Sequence, residues 1–190
     1  MAATGRRRAD PVRTGHIARA HGESWEQEIR GQLHACVLRG EIDDWEQRGV
    51  PAKYVHKGGR MELVPLDGDA VGRGRPVDFA CWSPSGAWFF EAKHQSSARW
   101  EFRQLKLSQA DRLSSLHNPQ ALRFAGVAVR FDAPGARAVS RSTWFLNWGT
   151  LGPAWRAWAD GERGCVASLN VRDAGLFGIR WGSGVFGGAR

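Results

Sequence analysis

The sequence predicts one α/β (α+β) domain in which helices flank a mixed central β-sheet. Two observations indicate this class. Apolar residues recur with helical and strand periods in the order helix, strands, helix, strand and helix. The 190 residues, 42% of them hydrophobic, are enough for one sizeable core. We expect the domain over 22–181, between a flexible basic arm at 1–21 and a flexible tail at 182–190.

The first predicted element is a helix over 23–47, because Trp25, Ile29 and Leu33 recur at a spacing of four residues. We expect a break in it near Gly40. Proline and glycine residues then interrupt short β-like pieces, and this pattern predicts a protruding, stalk-like loop or hairpin at about 53–75.

The remaining elements alternate between apolar strands and an amphipathic helix. Two strands are joined by the turn-like segment Ser-Pro-Ser-Gly, and a later helix is ended by Asn118 and Pro119. Trp155 and Trp158 indicate one more helix near the end of the domain. The predicted ranges are strands at 76–82 and 87–93, a turn at 83–86, a helix at 105–116, and strands at 122–131 and 142–148.

The charge balance indicates a polyanionic partner. Basic residues outnumber acidic ones by 27 to 19, for a net charge of +8, which favours nucleic acid. No apolar run is long enough to cross a membrane, and no basic amphipathic helix supports binding to an anionic membrane surface. We expect DNA as the partner, no membrane association, and no small-molecule cofactor.

The three cysteines, Cys36, Cys81 and Cys165, are widely separated and predict neither disulfides nor a cysteine metal site. With no secretory signal behind the basic N-terminus, we expect a cytoplasmic location. Only four of the 27 basic residues are lysines. This usage is typical of a GC-rich genome, and favours a bacterial cell or a phage-infected host.

The two strands at 76–82 and 87–93 place two carboxylates together. If the turn at 83–86 joins them, Trp82 pairs with Ala87, and counting back sets Asp78 opposite Glu91. Directly opposed residues have Cβ atoms about 5 Å apart, where like charges repel. A period of two places Lys93 on the same face as Glu91.

A divalent cation would relieve the repulsion between these carboxylates. Oxygen ligands favour Mg²⁺ or Mn²⁺, whereas His94 is the only nitrogen ligand nearby for zinc. A lysine beside such a metal helps to activate water or to stabilise the charge of a reacting phosphate. The alternative is a surface pair of Glu91 and Lys93, with Asp78 merely starting a strand.

The spacing of Pro76-Val77-Asp78 and Glu91-Ala92-Lys93 resembles the P-D…(D/E)-x-K motif of the restriction-endonuclease-like nuclease superfamily. Within that superfamily, VDF, a hairpin, FFEAKHQSS and LSQADRL together resemble the RecU-type Holliday-junction resolvases, over roughly residues 22–131. The resemblance implies a restriction-endonuclease-like core, a homodimer, and Mg²⁺- or Mn²⁺-dependent cutting of four-way DNA junctions.

The same resemblance implies roles for individual residues. Asp78, Glu91 and the backbone carbonyl of Ala92 would hold the metal, and Lys93 would assist the attacking water. Glu26 would match the glutamate of the family's first helix, and Gln109 the glutamine of a later helix. The alternatives are that Glu26 edges its helix and pairs with Arg30, and that Gln109 is a satisfied core amide.

Basic residues in the predicted stalk and in the segment after the strand at 87–93 are the candidates for DNA contacts. In RecU-type enzymes a stalk enters the junction centre, and the predicted loop or hairpin occupies the corresponding place, although its sequence departs from the family's usual pattern. An aromatic side chain there would stack on an exposed base, and three basic residues beyond the active strand would hold the phosphate backbone. The candidates are Lys53, Tyr54, Lys57, Arg60, Arg73 and Arg75 in the stalk, and Arg99, Arg103 and Lys106 beyond the strand.

The function predicted from the sequence is structure-selective endodeoxyribonuclease activity that resolves four-way junctions by paired, symmetric nicks in DNA recombination or repair. Two alternatives remain open. One is another nuclease of the same superfamily, of the restriction or mismatch-nicking type. The other is a non-catalytic DNA-binding protein whose carboxylates are structural.

Overall fold

The computed structural model describes residues 11–48, 52–57, 60–65, 77–134, 139–181 and 185–186. Within these residues the chain forms ten strands and four α-helices. In chain order they are α1 Pro11–Leu38, β1 Asp44–Gln47, β2 Ala52–Lys57, β3 Arg60–Pro65, β4 Phe79–Ser83, β5 Gly86–Gln95, β6 Arg99–Glu101, α2 Leu107–Leu116, β7 Arg123–Pro134, β8 Val139–Asn147, α3 Trp148–Ala159, β9 Ser168–Asn170, α4 Ala174–Phe177 and β10 Gly178–Arg180.

Six strands form a mixed central sheet in the order β1-β4-β5-β7-β8-β10. The β5–β7 pair is parallel, and the other neighbouring pairs are antiparallel. The connection from β5 to β7 contains α2, as a crossover between parallel strands requires. The predicted fold class is therefore confirmed: a mixed sheet flanked by helices.

Each face of the sheet carries its own core. On one face, Leu113 of α2 and Leu151 of α3 pack with Phe89 and Val127 of the sheet. On the other face, α1 packs against β4 and β5 through a cluster that includes Trp25 and Phe90. Odd-numbered residues of β5 such as Phe89 face α2, so the alternation along β5 decides which side chains reach that helix.

The first helix differs from its prediction at both ends. It begins at Pro11, so residues 11–21, expected in a flexible arm, are helical here; proline suits the first helical position. It ends at Leu38, because Gly40 (φ +69°) allows the Gly40 N–H to bond the Val37 carbonyl and the Glu41 N–H to bond that of Cys36. Residues 1–10 lie outside the described residues, and the division into arm, domain and tail stays a prediction.

Residues 41–47 are not helical, which corrects the last seven residues of the predicted first helix. After the glycine cap the chain extends, and β1 pairs with β4 so that Trp45 lies opposite Cys81. Trp45 packs against the ring of Phe79 at 6.5 Å between centroids. The pairing of β1 with β4 and the packing of this partly buried tryptophan override the helical spacing that continues past Gly40.

A separate hairpin follows β1. Strands β2 and β3 pair antiparallel, with Lys53 opposite Val64 and Lys57 opposite Arg60. The prediction of a loop or hairpin in this part of the chain is thus met by a backbone hairpin. Residues 58–59 and 66–75 of the predicted stalk lie outside the described residues.

The β4–β5 hairpin has the predicted register but a tighter turn. Trp82 pairs with Ala87, and Ser83 also pairs with Gly86, so the turn consists of Pro84 and Ser85. Gly86 has φ +132°, and a Cβ there would clash with the Leu122 carbonyl oxygen. Glycine fits this position because it has no Cβ: it adopts the positive φ without strain and leaves room for the Leu122 carbonyl.

The later elements lie close to their predicted ranges, with the helix of residues 105–116 beginning two positions later, at Leu107. The short elements β6, β9, α4 and β10 were not predicted; each has three or four residues, too few to show a period. No helix in the described ranges has both the length and the apolar character needed to span a bilayer.

Candidate active site

Asp78 and Glu91 lie at adjoining positions of neighbouring strands. Phe79 pairs with Phe90, so the next pair outward brings Asp78 and Glu91 together, as the spacing predicted. The Ala92 N–H donates a hydrogen bond to Asp78 Oδ2 at 2.8 Å, which holds the Asp78 carboxylate across the strand gap. The Glu91 side chain is only 2% exposed.

Burial and a neighbouring negative charge both act on Glu91. Removal from water raises the pKa of Glu91 to about 8, with a further upward contribution from the charge of Asp78 and a smaller downward one from Lys93. The carboxyl groups of Glu91 and Asp78 are also close enough to share a hydrogen bond. Without a metal, burial and the charge of Asp78 therefore favour the protonated form of Glu91.

Lys93 shares the face of Glu91 and is largely enclosed. Its Nζ lies 3.6 Å from Glu91 Oε2, and its side chain is 17% exposed. The Nζ also donates a hydrogen bond to Gln109 Oε1 at 3.3 Å. An exposed surface pair of Glu91 and Lys93 is therefore wrong: both groups lie between the sheet and α2.

Gln109 connects the helix to both charged groups. Its amide Nε2 donates to Glu91 Oε2, while its Oε1 accepts from Lys93 Nζ and, at 3.1 Å, from the backbone N–H of Lys106. Because Lys106 immediately precedes the first residue of α2, this contact fixes the carboxamide to the helix N-terminus. Gln109 thus contacts both Glu91 and Lys93, and the same three hydrogen bonds satisfy its carboxamide.

Glu26 is not brought onto the same face. It belongs to α1, on the opposite side of the sheet, and its Oε2 accepts a hydrogen bond from Gln47 Nε2 at 2.8 Å. Gln47 pairs with Phe79, and the next residue, Arg48, donates its N–H to the Asp78 carbonyl at 2.9 Å. Glu26 is thus connected to the strand end that carries Asp78, through β1.

The donor set fits Mg²⁺ or Mn²⁺. Two carboxylates that approach each other in a buried setting are unfavourable as a pair of anions and favourable around a hard cation. Among the described residues, no group of three or more His, Cys, Asp and Glu side chains is close enough to enclose a metal. An ion held by Asp78 and Glu91 would therefore keep several waters, as Mg²⁺ commonly does.

Three predicted DNA contacts lie on the surface, in the chain segment that follows β5. Arg99 is in β6, Arg103 in the short 3₁₀ turn Phe102–Gln104, and Lys106 directly before α2; all three are exposed. The backbones of the stalk candidates Lys53, Tyr54, Lys57 and Arg60 lie on the β2–β3 hairpin, and Arg73 and Arg75 lie outside the described residues.

Two sets of polar residues near the site were missed from the sequence. Gln95, two positions beyond Lys93 on the same face, bonds Gln104 through both carboxamides. The strand period would have placed Gln95 on the active face, but nothing in the sequence indicated its partner. On the other face, His94 Nε2 lies 2.9 Å from Asp132 Oδ2, a contact that joins residues far apart in sequence.

A cavity of about 330 Å³ lies on the α1 side of the sheet, away from Asp78 and Glu91. Among its lining residues, Arg39 pairs with Glu41 and Arg130 with Glu28. These pairs neutralise Arg39 and Arg130. The α2 face, where Glu91, Lys93 and Gln109 meet, is therefore the candidate site.

Comparison with known proteins leaves the family open. No family model and no curated protein matches the sequence. Among solved structures, the chain is similar to Archaeoglobus fulgidus Hjc, a Holliday junction resolvase from an archaeal hyperthermophile, with 12% identity and a TM-score of 0.41 over 84% of this chain and 95% of that chain. A likeness this distant does not assign a function, which must come from the geometry of the site.

Proposed function

We propose that this chain is a metal-dependent endodeoxyribonuclease with a restriction-endonuclease-like active site. One observation carries the proposal: Asp78 and Glu91 adjoin on a buried sheet face, and Lys93 lies 3.6 Å from Glu91. Such a cluster disfavours the ionised form of Glu91 unless a cation is present. It is well suited to a cation and a phosphodiester.

Asp78, Glu91 and the Ala92 carbonyl are the proposed metal ligands. When bound, Mg²⁺ or Mn²⁺ supplies Lewis-acid chemistry at the phosphodiester. The Ala92 N–H bond to Asp78 pre-orients one ligand, and the Gln109 amide pre-orients the other. In the reaction a water oxygen forms a bond to phosphorus and the bond from phosphorus to the leaving sugar oxygen breaks. The proton that the water gives up to solvent is balanced by the proton that the sugar oxygen takes from solvent.

Lys93 is proposed to serve the reacting phosphate. Its ammonium group donates hydrogen bonds to the phosphate oxygens as negative charge accumulates there, and Gln109 Oε1 keeps Nζ on this face. Glu26 is proposed to act from α1 through its connection to the Asp78 strand end. Its place across the sheet makes it a positioning residue in this scheme.

The proposed substrate is a four-way DNA junction, cut by a homodimer in the cytoplasm of a bacterium or phage-infected cell. The junction is supported by the sequence resemblance to RecU-type resolvases, and a polyanionic substrate by the net charge of +8. The dimer follows from the substrate's symmetry, since paired nicks need two equivalent sites. Arg99, Arg103, Lys106 and the β2–β3 hairpin are the proposed DNA contacts.

Cleavage of a synthetic four-way junction and of a linear duplex with the same arm sequences tests the proposal. We expect paired nicks in the junction with Mg²⁺ or Mn²⁺, none with EDTA, and little cutting of the duplex. Equal cutting of both DNAs would indicate a restriction or mismatch-nicking enzyme. Junction binding without any metal-dependent product would contradict nuclease function.

A further inference from the structure

Two open clefts meet on the surface beyond the N-terminus of α2, and Arg103 and Trp158 line both of them. One cleft, of about 360 Å³, extends to Arg99. The other, of about 420 Å³, extends to Lys106 and Leu107. Both volumes are within the range of small-ligand sites, about 300–1,000 Å³. The tryptophan is the wall that the two clefts share.

These clefts adjoin the candidate active site through α2. Lys106, at the cleft, donates its backbone N–H to Gln109 Oε1 at 3.1 Å, and the Gln109 amide donates to Glu91. Lys106 therefore lines a cleft and also bonds Gln109 of the candidate active site. The clefts therefore lie next to the candidate active site along α2.

The Trp158 ring is held in a fixed orientation while remaining half-buried. It packs edge-on against Phe102, with centroids 6.1 Å apart and planes at 77°, and against Trp155 at 5.8 Å and 63°. Trp155 Nε1 donates to the Phe102 carbonyl at 3.1 Å, so the supporting rings are themselves fixed. A rigid, partly exposed aromatic surface loses little entropy when a flat ligand stacks on it.

The surroundings of Trp158 match the chemistry of a nucleotide. Leu107, 61% exposed, adds apolar surface at the margin. The clefts carry three cations against the two carboxylates Glu101 and Asp160, and Glu101 pairs with Arg103. The balance of one positive charge, with an aromatic and an aliphatic surface, suits a base flanked by phosphates.

We propose that Trp158 stacks on a nucleobase of the DNA strand next to the scissile phosphate, with Arg103 and Lys106 contacting the flanking phosphates. The location of this base relative to the cut rests on the proposed nuclease function. The inference adds a base-binding subsite to it. An unpaired or distorted base, as at a junction centre, stacks there more readily than a base in an intact duplex.

Binding of a four-way junction in EDTA tests the subsite without cleavage. A set of junctions carries an abasic residue at each position near the cut. Stacking contributes about 1–3 kcal/mol per base, so one abasic position should weaken binding by the wild-type protein roughly tenfold, a change that corresponds to about 1.4 kcal/mol. Trp158→Leu should bind intact and abasic junctions equally, and Trp158→Phe should keep the difference.

Trp144→Leu is the matched control, because Trp144 is also half-buried and packs against Gly175 rather than the clefts. This variant should keep the full abasic penalty. If Trp158→Leu keeps it as well, the proposal is wrong. An intact-junction affinity of Trp158→Leu equal to that of the wild type would also contradict it.

Photocrosslinking of the wild-type protein tests the contact independently of any folding defect. A junction that carries 5-iodo-2′-deoxyuridine at the position where an abasic residue weakens binding should crosslink to Trp158. Mass spectrometry identifies the crosslinked residue. Crosslinks confined to other residues would overturn the proposal. Both readouts report binding and are independent of cleavage. Base stacking without metal-dependent cutting would refute the nuclease proposal and leave the subsite standing. Metal-dependent cutting without base stacking would refute the subsite and leave the nuclease proposal standing.

Discussion

At the scale of single residues, the burial of Glu91 is the main feature of the candidate site. The side chain is almost inaccessible to water and adjoins a second carboxyl group, so its ionised form needs a cation. The burial that suits Glu91 to the proposed metal therefore also makes the metal-free protein less stable than it could be. This trade-off between function and stability is measurable.

The pH dependence of stability should follow the raised pKa of Glu91. Between the ordinary value of 4.5 and about 8, the folded metal-free protein binds more protons than the unfolded chain. Its free energy of unfolding should therefore fall as pH rises through this window. Glu91→Gln should remove that slope and raise the free energy of unfolding at pH 8 by on the order of 1–3 kcal/mol.

Urea unfolding in EDTA at a series of pH values measures both effects. The glutamine can accept from Gln109 and donate to Asp78, so it retains the shape and the bonds of the protonated acid. An unchanged slope in Glu91→Gln would show that another group controls the pH dependence.

Gln109 should act on turnover rather than on substrate binding, because it orients Glu91 and Lys93. Gln109→Ala should reduce kcat by about 10–100-fold, the usual cost of removing a residue that orients metal ligands. The KM for junction DNA should change little. Ser108→Ala, at an exposed neighbouring position, is the control, and an equal loss in both variants would indicate general damage to α2.

At the scale of elements, the β4–β5 hairpin brings the carboxylates together. The relation between Asp78 and Glu91 could be predicted because a short turn fixes the register of two strands, even though the turn proved tighter than expected. The β1 strand could not be predicted in this way. Trp45 has a spacing compatible with the preceding helix, and only its packing against Phe79 gives it an extended conformation.

Gly86→Ala should disturb this hairpin. The positive φ and the close Leu122 carbonyl should lower the free energy of unfolding by about 1–3 kcal/mol, and cleavage should fall because the carboxylates lose their register. Gly31→Ala is the matched control, since a Cβ added at this position of α1 would have no neighbouring atom within 4 Å. It should raise stability by about 0.5–1 kcal/mol; equal effects of the two changes would contradict the role of the turn.

At the scale of the whole molecule, contacts between distant segments account for what the sequence did not reveal. Arg130 bonds Glu28, 102 positions away, and lies over the Trp25 ring at 5.6 Å. Glu26 similarly reaches Gln47 across the gap between α1 and β1. Periodicity places residues on a face within one element, but it does not determine which elements meet.

A homodimer with two active sites should be visible in the products. A supercoiled plasmid with an extruded cruciform should be linearised by paired nicks in the wild-type protein. Dimers formed with excess Asp78→Ala protein should instead leave nicked circles, because only one site is competent. Sedimentation measures the oligomeric state, and a monomer that makes both nicks would contradict the proposed dimer.

The central claim concerns the Asp78–Glu91 face, and cleavage by Asp78→Ala tests it most directly. Asp43→Ala is the control, because Asp43 is exposed on the segment before β1. With Mg²⁺ and a synthetic four-way junction, Asp78→Ala should bind DNA with nearly wild-type affinity and give no product, while Asp43→Ala should cut normally. Cleavage by Asp78→Ala at the wild-type rate would show that the active site lies elsewhere.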